Sequence, residues 1–314
     1  MAREHGMSEL RQALQDYLAV RRALGFKLAR AGQRLSGFIG YLEQAGARTV
    51  TTELALAWSC QPPGGHPAWW RQRLILVRGF AKYLHTLDPA TEVPPARLLP
   101  SRHCRATPYL YSEADIAGLM TAARALASPL RAATYETLIG LLAVAGLRVG
   151  EAIRLDRSDV DFDNALVTIL ASKFGKSREI PLHPAAIDAL AGYARRRDQL
   201  FPRPGAASFF ISTTGTPLIY NCVHSVFLGL VRDAGLQPRS AACRPRLHDL
   251  RHTFAVRTLL DWYSAGIDVQ ARLPQLSTYL GHFDPASTYW YLSAAPELLA
   301  IAAARLEHTL GSLP

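Results

Sequence analysis

The chain has 314 residues, 49% of them hydrophobic, and a formal net charge of +10, which suits about two ordinary globular domains. No apolar run reaches the roughly 18–20 residues of a membrane span. The first ten residues are charged and lack an apolar core, so they do not read as a secretory leader and the expected compartment is the cytoplasm. Cys60, Cys104, Cys222 and Cys243 are scattered with no C-x-x-C pair and read as free thiols, not as a disulfide framework or a zinc site.

The charge is uneven. Residues 1–108 hold 15 Lys and Arg against 7 Asp and Glu (+8), whereas residues 109–314 hold 20 against 18 (+2). A basic N-terminal third suits phosphate contacts, whose formation releases counterions. In that third, Leu10, Leu14, Tyr17 and Leu18 follow helical spacing, as do Leu35, Phe38, Ile39 and Leu42. Thr51–Ser59 adds a short helix, and the run from Trp69 to Leu84 a long one. Residues 1–87 therefore read as a bundle of about four helices. Arg71, Arg73, Arg78 and Lys82 take the polar positions of the last helix; they suit phosphate contacts or simply a solvated face. Residues 88–108 contain Pro89, Pro94, Pro95, Pro100 and Pro108 and form the expected linker.

Residues 109–314 read as mainly helical, with one small antiparallel sheet. Ser112 with Asp115 three residues on predicts a capped helix through Met120. A second helix over about 132–145 stops at Gly146, which suits a left-handed C-terminal position. Leu166–Leu170 and Arg178–Leu182 read as strands joined by Ala171–Ser177. Helices follow at about 184–199, 217–234, 248–263, 272–281 and 285–292, with a last one near 296–310. The whole is an α-rich, two-domain chain with an α+β C-terminal domain.

Four features in this part carry chemistry together: Arg148 in Ala145-Gly-Leu-Arg-Val-Gly-Glu151; His248 and Arg251 in Leu247-His-Asp-Leu-Arg-His252; His282 in Leu280-Gly-His; and Tyr291, nine residues after His282. Arginine suits the binding of non-bridging phosphate oxygens, because its planar fork stays protonated. A neutral imidazole can accept a proton or donate to an oxygen, and tyrosine can act as a covalent nucleophile. His252 reads as structural. Tyr289 and Tyr291, two apart on one helix, point about 200° from each other, so both cannot serve one phosphate. The ten histidines form no H-x-H or H-E-x-x-H group and the carboxylates no compact cluster, so no metal or other cofactor is expected.

In this order the residues resemble the active site of the tyrosine recombinases, the phage-integrase type. The resemblance implies a core-binding helical bundle followed by a catalytic domain, acting on double-stranded DNA. It implies Arg148, Lys173, His248, Arg251, His282 and Tyr291 as catalytic residues. By the family's nine-residue spacing the nucleophile is Tyr291, and Tyr289 is a core or supporting residue. A lysine in the hairpin is the implied acid for the leaving 5′-oxygen: Ser172-Lys-Phe-Gly-Lys-Ser-Arg178 holds Lys173, favoured by its register, and Lys176. Lys176 and Arg178 would then contact the DNA backbone. Glu151 matches an acidic position that either orients the basic groups or forms a plain salt bridge. The implied enzyme is a site-specific recombinase, an integrase or transposase of a mobile element, working beside the bacterial nucleoid. It would rejoin strands through a 3′-phosphotyrosyl bond without metal or ATP. It would assemble as a homotetramer on two DNA sites, with or without accessory recombinases, and Pro296–Thr309 would be a terminal helix donated to a neighbour. A type IB topoisomerase shares these residue types, and a catalytically silent DNA-binding partner is a third possibility.

Overall fold

The computed structural model describes residues 2–26, 28–99, 107–170, 177–202, 205–282, 284 and 286–294. It divides into two compact units, Met1–Arg105 and Ala106–Pro314.

The first unit is a helical bundle: α1 (Ala2–Ala23), α2 (Ala29–Gln44), α3 (Thr52–Ser59) and α4 (Pro67–Leu87). Leu10, Leu14, Leu18, Leu35, Phe38, Ile39 and Leu42 close its core with Trp58, Val77 and Phe80, so the helical spacing of the sequence is the packing face. Thr51 caps α3 by accepting from the amide of Leu54, and His66 caps α4, whose first residue is Pro67. Over residues 88–99 the proline-rich segment that follows forms turns and irregular chain with no helix or strand, and its first part is tied to the bundle. The amide of Glu92 donates to Val50 O, and that of Thr52 to Oε2 of Glu92. Arg78 Nε donates to Pro94 O, and Thr91 is buried.

The second unit begins with α5 (Glu113–Arg124), whose Ser112–Asp115 capping box is formed as expected, and α6 (Pro129–Ala145). A short α7 (Val149–Ala152) and a 3-10 turn (Arg157–Asp159) lead into β1 (Val160–Asp161), β2 (Leu166–Ile169) and β3 (Arg178–Pro181). The sheet is antiparallel in the order β1-β2-β3, with Val167 opposite both Val160 and Ile180. Neither α7 nor β1 is visible in the sequence pattern, since four and two residues carry too little periodicity. Then come α8 (Pro184–Leu200), α9 (Tyr220–Asp233), α10 (Asp249–Ser264), α11 (Val269–Leu280) and α12 (Ala286–Ala294). One core joins α5, α6, the sheet, α8 and α9. A second, from Ala255, Val256, Leu259, Val269, Leu273, Leu276, Leu280 and Tyr291, clamps α10, α11 and α12 together. The expected helix Pro296–Thr309 lies outside the described residues, as do Lys173 and Lys176. Among the described residues, no helix is long and apolar enough to cross a membrane.

Candidate active site

Two helices end in left-handed glycines, Gly146 after α6 (φ 56°) and Gly281 after α11 (φ 67°). A helix C-terminus leaves carbonyls without intrahelical partners and carries the negative end of the helix dipole. Arginines take up these carbonyls. Arg251, from the first turn of α10, donates to Gly146 O (2.8 Å) and Leu280 O (2.6 Å). Arg148, the residue that caps α7, donates to Gly281 O (2.9 Å), and Arg178 Nε, from the start of β3, to Tyr279 O (2.8 Å). The two glycine-ended helices thus draw Arg148, Arg178 and Arg251, which lie far apart in sequence, into one cluster.

Three guanidinium groups repel one another, and Glu151 offsets this. Its carboxylate accepts from Arg148 Nη1 at 2.7 Å, from the Arg148 amide at 3.0 Å and from Arg178 Nη2 at 2.9 Å. Burial opposes the charge, yet the Arg178 and Arg148 hydrogen bonds hold the carboxyl down at about 2. Glu151 therefore does both things the sequence allowed: it is a salt bridge, and it orients basic groups. Burial, with Arg148 nearby, lowers Arg251 to about 10, still well above neutral pH, so it stays a cation. The Arg251 side chain is almost wholly buried, whereas that of Arg148 is 27% exposed, so in this geometry Arg148 is the arginine that solvent can reach.

The nucleophile candidate lies on α12. Tyr291 is 2% exposed and Tyr289 52%, as their two-residue separation requires. The Tyr291 hydroxyl lies 3.3 Å from Nδ1 of His252, and the His282 ring stacks on its ring at 6.0 Å. His282 Nδ1 is 2.7 Å from Oγ1 of Thr288 on the same helix. His248, at the start of α10, meets the His252 ring edge-on at 4.7 Å. The structure thus brings together Arg148, His248, Arg251, His282 and Tyr291, of the six residues proposed for catalysis. The sixth, Lys173, lies outside the described residues.

Two contributors were missed in sequence. His252 reads as structural one residue after Arg251, yet it touches the tyrosine hydroxyl. Thr288 gave no signal beyond its place three residues before Tyr291, yet it is buried and holds His282. Of the basic residues assigned to DNA, Arg178 is 11% exposed in its side chain and engaged with Glu151. Its reach is taken up within the cluster, because its guanidinium is the counter-charge of a buried carboxylate. Arg73 donates to Gln61 O and Trp58 O and stacks over Trp58 at 3.6 Å, which braces α3 on α4. Arg78 is tied to Pro94. Lys82 is exposed and Arg71 half-buried. Among the described residues, no group of three or more His, Cys, Asp or Glu is placed to hold a metal ion.

Against known proteins, the model of the phage integrase family matches residues 110–297. A Sinorhizobium fredii protein whose name gives it as an integrase/recombinase is 46% identical over 307 residues, covering 96% of this chain and 98% of its own. Among solved structures, the Tn1549 transposon integrase in complex with transposon right end DNA superposes with a TM-score of 0.63 at 18% identity, covering 94% of this chain and 99% of that one. A lambda integrase, present as a tetramer bound to a Holliday junction, gives 0.58 at 19% identity, over 90% of this chain and 76% of that one.

Proposed function

This chain belongs to the phage integrase family, the tyrosine recombinases, which cleave and rejoin DNA, and we propose that it recombines DNA site-specifically through a 3′-phosphotyrosyl bond on Tyr291. The observation that carries the assignment to Tyr291 is its burial between His252 and His282, beside the arginine cluster, while Tyr289 faces solvent. Attack of the Tyr291 oxygen on a phosphodiester forms the O–P bond and releases a 5′-hydroxyl. Arg148 and Arg251 offset the charge that gathers on the non-bridging oxygens. His248 and His282 donate to those oxygens, and Lys173 protonates the leaving 5′-oxygen. The phosphotyrosyl bond keeps the energy of the broken phosphodiester, so a DNA 5′-hydroxyl can reverse the step with no ATP. We assign Arg178 to holding Glu151, and Arg71 and Lys82 to phosphate contacts in the N-terminal unit. Arg73 is a brace of the bundle. We place the active form as a homotetramer on two DNA sites, with Pro296–Thr309 as the exchanged segment; the lambda integrase tetramer supports the tetramer alone, by likeness of fold.

The test is a suicide substrate nicked near the cleavage point, which should trap a protein–DNA adduct that survives denaturation. Tyr291→Phe should abolish the adduct and leave DNA binding nearly intact, because only a hydroxyl is removed. Persistence of the adduct in Tyr291→Phe, with loss in Tyr289→Phe, would overturn the assignment. Cleavage should also continue in excess EDTA, since arginine, histidine and lysine side chains supply the charge and the protons. Loss there, restored by magnesium or manganese, would point to a metal-dependent nuclease instead.

A further inference from the structure

His248 has the position in His-x-x-Arg from which a proton acceptor is expected, but His252, one turn along α10, has its Nδ1 against the Tyr291 hydroxyl. We propose that His252 is the base that takes the Tyr291 proton as the phosphate is attacked, and the acid that returns it when the strands are rejoined. The geometry consists of three groups in succession. Nδ1 of His252 is 3.3 Å from the phenol oxygen. On the other side of the ring, Nε2 lies 4.0 Å from Oδ1 of Asp249. Asp249 is itself fully buried and held by Arg246 through two hydrogen bonds, at 2.8 and 2.9 Å.

This order favours one tautomer. A carboxylate on the Nε2 side favours the ring proton there, which leaves the Nδ1 lone pair facing the phenol. Tyr291 then donates its hydrogen bond to Nδ1, and the 3.3 Å separation is of the kind that tightens when substrate is bound. On attack, the Tyr291 oxygen bonds to phosphorus, the bond from phosphorus to the 5′-oxygen breaks, and the phenol proton moves to Nδ1. The imidazolium so formed faces Asp249, whose charge offsets the new one. Ligation runs the same transfers backwards, with the tyrosine oxygen protonated from Nδ1 as it leaves. The ring is also held sterically: Trp290 packs on it at 5.2 Å and His248 meets it edge-on. His248 and His282 are left to donate to the phosphate oxygens.

The inference rests on Tyr291 being the nucleophile, and its test separates the two. Two variants are compared with the wild type for adduct formation on the suicide substrate. His252→Phe keeps an aromatic ring beside Trp290 but loses the acceptor. His252→Asn can still accept a hydrogen bond but cannot take a proton. General base catalysis contributes roughly 10²–10⁴-fold, so both variants should form adduct at least about a hundred-fold more slowly. The second readout uses a strand ending in 3′-(4-nitrophenyl) phosphate, whose leaving group departs without protonation. In a Tyr291→Phe background the phenol has no part, and a 5′-hydroxyl strand attacks directly. There, adding His252→Phe should leave the joining rate unchanged. Equal loss of both reactions would show that His252 only holds the site together. Wild-type adduct formation in either variant would overturn the base role while leaving Tyr291 as nucleophile. Absence of any adduct on Tyr291 in the wild type would instead overturn the function proposed above.

Discussion

Glu151 stands between Arg148 and Arg178 with 2% of its side chain exposed, so the site carries a measurable dependence on pH. Its carboxyl titrates at about 2, against an ordinary value of 4.5. A group depressed in the folded state contributes stability that is complete above its unfolded value and is lost as pH falls through the folded one. The difference is on the order of 3 kcal/mol, present above about pH 5 and lost progressively between about pH 4.5 and 2. Glu151→Gln should remove that acid dependence. At pH 7 it should lower stability by roughly 3–5 kcal/mol, because two arginines lose a buried partner. Urea melts of both proteins at pH 7 and pH 3 check this: the wild type should lose more stability between the two than the variant. Equal losses would mean that Glu151 is not the group that couples the cluster to acid.

At the scale of elements, the decisive joint is the end of α11. Its last carbonyls and Gly281 O receive Arg178, Arg251 and Arg148, so the helix end sets the spacing of the cations. Gly281 permits this in two ways. Its φ of 67° is left-handed, and a Cβ there would stand 2.7 Å from Nη1 and 2.9 Å from Cζ of Arg178. Arg178 cannot swing aside freely, since Tyr279 O and Glu151 hold it. Gly235, after α9, has the same φ of 67° but nothing within 4 Å of its Cβ direction. Gly235→Ala should therefore cost only the left-handed strain, about 1–2 kcal/mol. Gly281→Ala should cost more, and by displacing Arg178 it should slow adduct formation about a hundred-fold. Thermal melts and the suicide-substrate assay on both variants separate strain from displacement. Equal effects on stability and no effect of Gly281→Ala on cleavage would show that the Arg178 contact is dispensable.

On the scale of the whole chain, charge is unevenly divided. The first 108 residues carry +8 and the remainder +2. DNA affinity should thus draw much of its salt dependence from the N-terminal unit, through counterion release. Lys82 is exposed on α4, and Lys82→Ala should weaken binding and flatten the slope of log affinity against log salt by about one unit. Arg73→Ala should act differently. Its guanidinium lies over Trp58 and on two backbone carbonyls of the same unit, so its loss should lower the melting temperature and leave the salt slope nearly unchanged. Fluorescence-anisotropy titrations at several salt concentrations, together with melts, distinguish the two. A salt slope that fell by one unit in Arg73→Ala would return that residue to the DNA contacts.

Sequence alone determined the longer elements and the candidates for the reacting groups. Apolar spacing placed the helices of the bundle, glycines marked the ends of α6 and α11, and two strands stood out by their β-branched residues, because these signals are local and repeat along the chain. The order of Arg148, His248, Arg251, His282 and Tyr291 was legible for the same reason that the family is recognisable: each lies in a short motif. The helical repeat also showed that Tyr289 and Tyr291 must diverge, though which of them is buried followed from the family's spacing. What tertiary structure decided is who touches whom. That Arg178 serves a buried carboxylate, that Arg73 braces an indole, and that Thr288 holds His282 depend on residues brought together by packing. So does the contact of His252 with the Tyr291 hydroxyl, since it is set by how α10 packs against α12 and no spacing within one helix contains that information.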